Sequence, residues 1–332
     1  MAQSAPGPMN QFTAHLDRGW DLVSRGDYAG ALLSAEKGLE LDQESPEVHN
    51  LMGFIHAAEG NAEDALEHYK QAVALDDTFV EAMLNAAEVL MHPLGDHGEA
   101  LKFIDEALDF MEEEEDEFTD ALLLKIDVLL AMEDLDAAKR AVRRLPDGPF
   151  EHPDLGLLVG RAKLEVGDIE GGAPPILAAA EANPTNPEVQ YYLGVVLEAR
   201  GDRHGATVAF LRCRELDMNS PAPPWTLPPE RFEREVQRAL GRLTEAEREL
   251  LDGALVVVVG APGAEVVADG IDPRIEALLD MSTEGAPPRV SRVFVYQRNI
   301  ERSANGQLDV EDAVIRALSR ELTMISSEPK AP

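Results

Sequence analysis

Gly53-Phe54-Ile55-His56-Ala57-Ala58-Glu59-Gly60-Asn61-Ala62-Glu63-Asp64-Ala65-Leu66-Glu67-His68-Tyr69-Lys70-Gln71-Ala72 is the stretch that decides the fold. A glycine is followed by a second glycine and then by an alanine, at spacings that return along the chain. The same spacing reads Gly19, Gly26, Ala31; then Gly160, Gly167, Gly172, with glycine in the alanine's place; then Gly194, Gly201, Ala206. The step from 19 to 53 and the step from 160 to 194 are both 34 residues. From 53 to 160 is 107, three such periods plus five residues. The surplus is visible: Met91–Gly98 stretches one turn and Glu112–Glu117 lengthens one loop. The two middle copies keep Ala100, Ala107 and Ala138 but not the glycines. A period of this length predicts stacked helical hairpins that bury a shared core only by stacking.

These residues resemble the tetratricopeptide repeat over about residues 12–219, as six repeats starting near Phe12, Pro46, Val80, Thr119, Pro153 and Pro187. Gly53, Gly60, Ala65, Tyr69 and Ala72 fit all five expected places, and Gly194, Gly201, Ala206 and Phe210 fit four. The family's first-helix tryptophan is missing, with Trp20 one residue after the small position instead. The resemblance implies an all-α superhelical solenoid with a concave groove. It maps the groove onto Leu16, Trp20, Val23, Asn50, Phe54, Leu84, Glu88, Met91, Leu123, Asp127, Leu157, Arg161, Tyr191, Val195 and Glu198. That surface is apolar with acidic punctuation and lacks the Lys/Asn/Arg set with which some members clamp a terminal carboxylate. The expected ligand of the groove is a protein segment with apolar anchors and basic flanks, such as an amphipathic helix. The alternative is that many of these side chains only touch neighbouring repeats.

Charge agrees with a protein partner. The chain has 332 residues, 63 acidic against 29 basic, a formal net charge of -34. Residues 227–332 hold 19 acidic and 13 basic residues, net -6, so the remainder carries -28. Such a surface repels phosphate backbones and anionic membranes and attracts basic partners. The longest apolar run, Ala254–Val259, is six residues, far short of the roughly 20 that span a bilayer. The first residues, MAQSAPGPMNQF, offer no basic and apolar leader pattern. A cytoplasmic protein without membrane insertion is expected.

Candidate chemistry in the repeats is sparse. All eight histidines lie before residue 205, and His49 and His56 are seven apart on one helix face. Imidazoles that share a metal usually sit three or four apart with further ligands converging, so packing or surface roles are expected. The single cysteine, Cys213, takes a place where the family has alanine and reads as a buried small hydrophobe.

The helical rhythm breaks at Ser220-Pro221-Ala222-Pro223-Pro224-Trp225-Thr226-Leu227-Pro228-Pro229. Prolines remove donors and bar helix at the preceding residue, so 220–229 reads as a stiff linker. Beyond it, Phe232–Leu240 is amphipathic, Leu255–Val259 reads as a buried strand, Val290–Tyr296 alternates as a strand, and Val310–Ile325 has helical spacing. The order of a helix, the LVVVV strand, Asp269-Gly270-Ile271-Asp272-Pro273-Arg274, a strand through Arg292–Glu301 and a last helix resembles the small bacterial zincin-like metallopeptidases of minimal size, over roughly 230–325. The resemblance implies a small α+β domain whose final helix carries HExxH, two histidines gripping zinc around a glutamate base. Here Arg320 replaces the first histidine and Met324 the second, leaving Glu321. Arginine cannot ligate zinc, and residues 205–332 contain no histidine. No metal, cofactor or catalytic residue is expected, and Glu321 reads as a buried acid paired to Arg320 or another arginine, the alternative being a relic with a new binding role.

The organisation expected is therefore a disordered 1–11, an array over 12–219, a linker over 220–229, a degenerate zincin-like domain over 230–325 and a disordered 326–332. The leading functional reading is a non-catalytic scaffold or adaptor. A chaperone or inhibitor that masks a secreted or proteolytic partner is the alternative, and an active zinc peptidase comes third.

Overall fold

The structure, a computed structural model, describes residues 8–113, 116–150, 152–282 and 289–327. Twelve helices come first: α1 (Pro8–Ser24), α2 (Tyr28–Leu41), α3 (Pro46–Ala58), α4 (Ala62–Leu75), α5 (Val80–Met91), α6 (His97–Asp109), α7 (Asp116–Ala131), α8 (Leu135–Val142), α9 (Pro153–Glu165), α10 (Ile169–Ala182), α11 (Pro187–Ala199) and α12 (Arg203–Asn219). α1 packs on α2, α3 on α4, α5 on α6, α7 on α8 and α11 on α12, and α3, α5, α9 and α11 start where the 34-residue rhythm places them. The first helix begins at Pro8, inside the stretch expected to be disordered; residues 1–7 and 328–332, which carry the rest of both terminal expectations, lie outside the described residues.

Close packing within a pair explains the small residues. A Cβ built on Gly53 would lie 2.6 Å from the Tyr69 ring, and one on Gly194 would collide with the Phe210 ring. The turn glycines answer a different need: Gly60 and Gly201 have φ of 82° and 81°, in the left-handed region that side chains avoid. The middle pairs solve the same turn with other residues. Gly95 supplies it in the stretched loop (φ 70°), and Glu133 adopts φ 59° without the relief of a glycine. Aspartates then start the second helices: the side chains of Asp27, Asp96, Asp134 and Asp202 accept from the backbone N–H groups of Gly30, Glu99, Ala137 and Gly205.

The chain divides into two compact units between Pro175 and Ile176. The division falls inside α10, at its internal Pro174–Pro175 pair, where prolines remove helical hydrogen bonds. The expected boundary was the proline stretch 220–229. That stretch is instead interior to the second unit, and its end is core. Leu227 is buried with Phe232, Val236, Val293 and Ile300, with Trp225 packed against them. Its backbone N–H donates to Glu301 at 3.0 Å and its carbonyl accepts from Gln297 at 2.8 Å.

After α12 come α13 (Pro229–Arg242), α14 (Glu245–Leu250), β1 (Leu255–Val259), α15 (Ala264–Ala268), β2 (Ala277–Ser282), β3 (Arg289–Tyr296), α16 (Gln297–Ser303) and α17 (Val310–Ser327). The three strands form one sheet in the order β1-β3-β2, with β1 parallel and β2 antiparallel to β3. Residues of α13 and α17 share a core with one face of it, through Val236, Ala239, Val293, Val295, Val314 and Leu318. Three expectations are corrected here. The apolar β1 is an edge strand with exposed ends (Leu255, 62%), because it pairs on one side only. The strand expected to run to Glu301 stops at Tyr296, and α16 takes over. The alternation breaks at Ser291, where the β2–β3 register slips, so Val290 is buried on one side of the irregularity and Val293 and Val295 on the other.

Candidate functional site

In the first unit, α1 and α3 place Trp20 and Phe54 side by side. Their rings meet edge to face, 5.5 Å between centroids, a geometry the ring quadrupoles favour. Leu16, Trp20 and Val23 lean on a core of Ala31, Val48, Leu51 and Ile55, whereas Phe54 remains 37% exposed. On the next pairs, Leu84 and Met91 are half-buried against the adjoining core. Burial around the Glu88 carboxyl pushes its pKa up.

Several expected groove residues serve the repeats instead. Asn50 is 1% exposed; it donates to Glu81 at 2.9 Å and accepts from Asn85 at 3.0 Å, tying α3 to α5. Leu123 and Leu157 are buried. Arg161 donates to both Asp127 oxygens at 2.7 and 2.8 Å, so the two expected groove charges neutralise each other. For Asn50 the cause is the following helix pair, whose Glu81 and Asn85 take its hydrogen bonds.

In the second unit, Tyr191 and Val195 are also covered. Both pack with Ala206, Phe210 and Val267. The Tyr191 hydroxyl donates to Asp272 at 2.9 Å, and the Arg274 guanidinium lies 4.6 Å from the Tyr191 ring centroid. Arg274 is 11% exposed and pairs with Glu188 at 2.8 Å and Asp217 at 3.1 Å; Arg302 also reaches Asp217 at 2.7 Å. Burial alone would raise Asp217, but hydrogen bonds from Arg302 and Arg274 prevail and hold its pKa below the usual carboxylate value. The Asp269–Arg274 stretch thus clasps the last helix pair. Cys213 is fully buried beneath it, its thiol pushed up to about 12, chiefly by burial, as its alanine-like position predicted.

The residues at the degenerate motif lie on α17. Arg320 donates to Glu276 at 2.9 Å and stands 4.0 Å from Glu321. Met324 is 61% exposed. Glu321 is half-buried, and that burial raises its pKa. Arg320 therefore pairs first with Glu276, a partner outside the motif.

Two groups escaped the sequence reading. His68 on α4 enters between His49 and His56: its Nδ1 lies 3.2 Å from Nδ1 of His49, and its ring stacks on His56 at 5.3 Å. Burial lowers the pKa of His49; burial, then His49 and His56, lower that of His68. The second group is the set of arginines Arg214, Arg274, Arg298 and Arg302. Their only signal was that nearly every basic residue after 205 is arginine, the cation suited to forked contacts. No helix among the described residues is long and apolar enough to cross a membrane.

Comparison with known proteins places this architecture. Residues 46–79 and 157–212 each match the tetratricopeptide repeat. Among curated proteins, the photosystem I assembly protein Ycf3 of Acaryochloris marina is 34% identical over 91 residues, 26% of this chain and 54% of that protein. The same-named protein of Rippkaea orientalis is 28% identical over 152 residues, 45% of this chain and 75% of that one. The chain thus spans about half the length of the first relative. Among solved structures, PilF of Pseudomonas aeruginosa superposes with a TM-score of 0.53 at 18% identity, covering 65% of this chain and 96% of PilF. A tetratricopeptide repeat protein of Parabacteroides merdae gives 0.52 at 13% identity, covering 93% of this chain and 99% of that one. At these identities the structures speak for the fold. Residues 46–79 and 157–212 thus carry tetratricopeptide repeats, and a small three-stranded sheet follows the helices.

Proposed function

We propose that the chain is a non-catalytic protein–protein interaction scaffold. A partner segment docks on the first repeats, on the face built from Leu16, Trp20, Val23, Phe54, Leu84, Glu88 and Met91. The observation that carries this reading is Phe54, a large ring left 37% exposed against Trp20 in a chain of net charge -34. Fully burying one such side chain stabilises a complex by roughly 1.5–3 kcal/mol, so the partner offers apolar anchors. Basic residues around them gain encounter rate from the acidic field. The names of the two Ycf3 relatives, assembly proteins both, support a partner-handling role and also favour a second reading, a holder that keeps one partner unassembled. We further read 230–325 as a zincin-like remnant, on the order of its elements and the position of Arg320, Glu321 and Met324 on α17, in a bacterial protein of the cytoplasm.

A low-salt pull-down identifies the partner, and surface plasmon resonance at about 50 and 300 mM salt then separates the two contributions. Trp20→Ala with Phe54→Ala speeds dissociation. Neutralising Glu112–Glu117, of which 114 and 115 lie outside the described residues, slows association and flattens its salt dependence. A scaffold binds two proteins at once, whereas a holder binds one. Unchanged dissociation in the double variant overturns the docking face. About one zinc per chain after dialysis overturns the remnant reading.

A further inference from the structure

The second unit contains a cavity of about 240 Å³ that the proposed function does not use. Its charged wall is Arg214, Arg298 and Arg302 together with Asp217, and its apolar wall includes Met218, Pro221 and Ala261. Arg302 is committed to Asp217 and Glu188. The other two guanidiniums are held by neutral oxygens alone. Arg214 donates from Nε to the Pro262 carbonyl at 2.5 Å, and Arg298 donates from one terminal nitrogen to the carbonyls of Asp217 and Ser220 at 2.6 and 3.3 Å. Neither has a carboxylate partner among the described residues, in a chain where acids outnumber bases 63 to 29. Both terminal nitrogens of Arg214 and one of Arg298 keep unused N–H donors beside the cavity. Those carbonyl bonds also fix the two forks, so little freedom is lost when an anion arrives.

We propose that this cavity binds a carboxylate carried on a short apolar body. Planar guanidinium forks match the two oxygens of a carboxylate, and the proline, methionine and alanine wall suits a small aliphatic group beside it. The volume lies below the roughly 300–1,000 Å³ of a site for a drug-sized ligand, so it takes one residue-sized head. Such a head is either a free branched-chain acid or the C-terminal residue of a peptide. The site is independent of the Trp20–Phe54 face, and either can fail without the other.

The test uses the full-length protein at about 50 mM salt, where surface charge is weakly screened. The probes are isovalerate, N-acetyl-alanyl-leucine, the C-terminal amide of that dipeptide, and inorganic phosphate. Binding is followed by calorimetry and by the Nε–Hε resonances of Arg214 and Arg298. At least one free acid shifts both resonances and binds about tenfold or more tighter than the amide, the loss expected when a charge-assisted pair is removed. Binding of isovalerate alone assigns a small-acid ligand; tighter binding of the dipeptide assigns a peptide terminus. Arg214→Gln weakens the acid by about tenfold or more, and Arg214→Lys by less, since it keeps the charge and loses the fork. Ala261→Leu fills the cavity without altering charge and removes binding. Equal affinity for acid and amide, binding of phosphate alone, or resonances unmoved by every probe in the unsubstituted protein overturns the proposal.

Discussion

Asn50 and Tyr191 occupy the same position in two repeats, each three residues before the small glycine, yet they hand their hydrogen bonds to different structures. Asn50 donates to Glu81 in the following repeat, 31 residues on. Tyr191 has no repeat after it and donates to Asp272, 81 residues on. A helical hairpin cannot cover its own apolar face, so every repeat leans on the next and the last needs a cap. Here the Asp269–Arg274 stretch stands where a seventh repeat would, with Arg274 filling the polar contacts among Tyr191, Glu188 and Asp217. The comparison also separates roles. The helix-A positions of the sixth pair are spent on this clasp, and Phe54 on the first unit stays open.

Arg274→Ala attacks the difference most strongly. It strips a nearly buried guanidinium from two carboxylates and a ring, and removing one partner of a buried ion pair costs about 3–5 kcal/mol. Chemical denaturation should show the second unit's transition falling by that order while the first unit's is unchanged. Next is Gly53→Ala. Its Cβ would lie 2.6 Å from the Tyr69 ring, and overpacking of this kind costs roughly 1–3 kcal/mol; here the loss should fall on the first unit. Glu133→Gly works in the other direction. Relieving a φ of 59° should raise stability by about 1 kcal/mol, near the lower end of the cost of a left-handed non-glycine residue, seen as a higher Tm. The smallest effect is a pH slope in the first unit. Burial lowers the folded pKa of His49 and His68 below 6.5, so the unfolded chain binds more protons between those lowered values and 6.5. Their contribution is complete above that window and is lost as pH falls through it. His68→Gln should flatten the fall in Tm between about pH 7 and 5, the range in which an ordinary histidine titrates; an unchanged slope refutes the assignment.

The repeats were legible because their determinants are local and periodic. Gly53 against Tyr69 and Gly194 against Phe210 are separated by 16 residues each and recur in phase. The Gly-Asp pairs at 26–27, 95–96, 167–168 and 201–202 carried a further signal, the helix start that follows each turn, and it went unread. The groove was only half legible. Periodicity says which helix face a residue occupies, but not whether that face is covered, as it is at Asn50, Leu123 and Leu157. The second unit was hardest. Proline chemistry put a boundary at 220–229, yet Leu227 is core because Glu301 and Gln297, some 70 residues later, hold its backbone. Likewise β1 read as a buried strand from its side chains alone, and an edge is a property of the sheet order.

Hydrogen exchange on a chain ending at residue 220 tests the central claim, that the C-terminal segment caps the last repeat. The truncated chain keeps its α1–α9 amides as protected as in the full-length protein and still melts as a helical unit. Amides of α11 and α12 lose most of their protection, since Tyr191, Glu188 and Asp217 have lost Asp272, Arg274 and Arg302. Full protection of α11 and α12 in the truncated chain would contradict the account, because the sixth repeat would then stand without its cap.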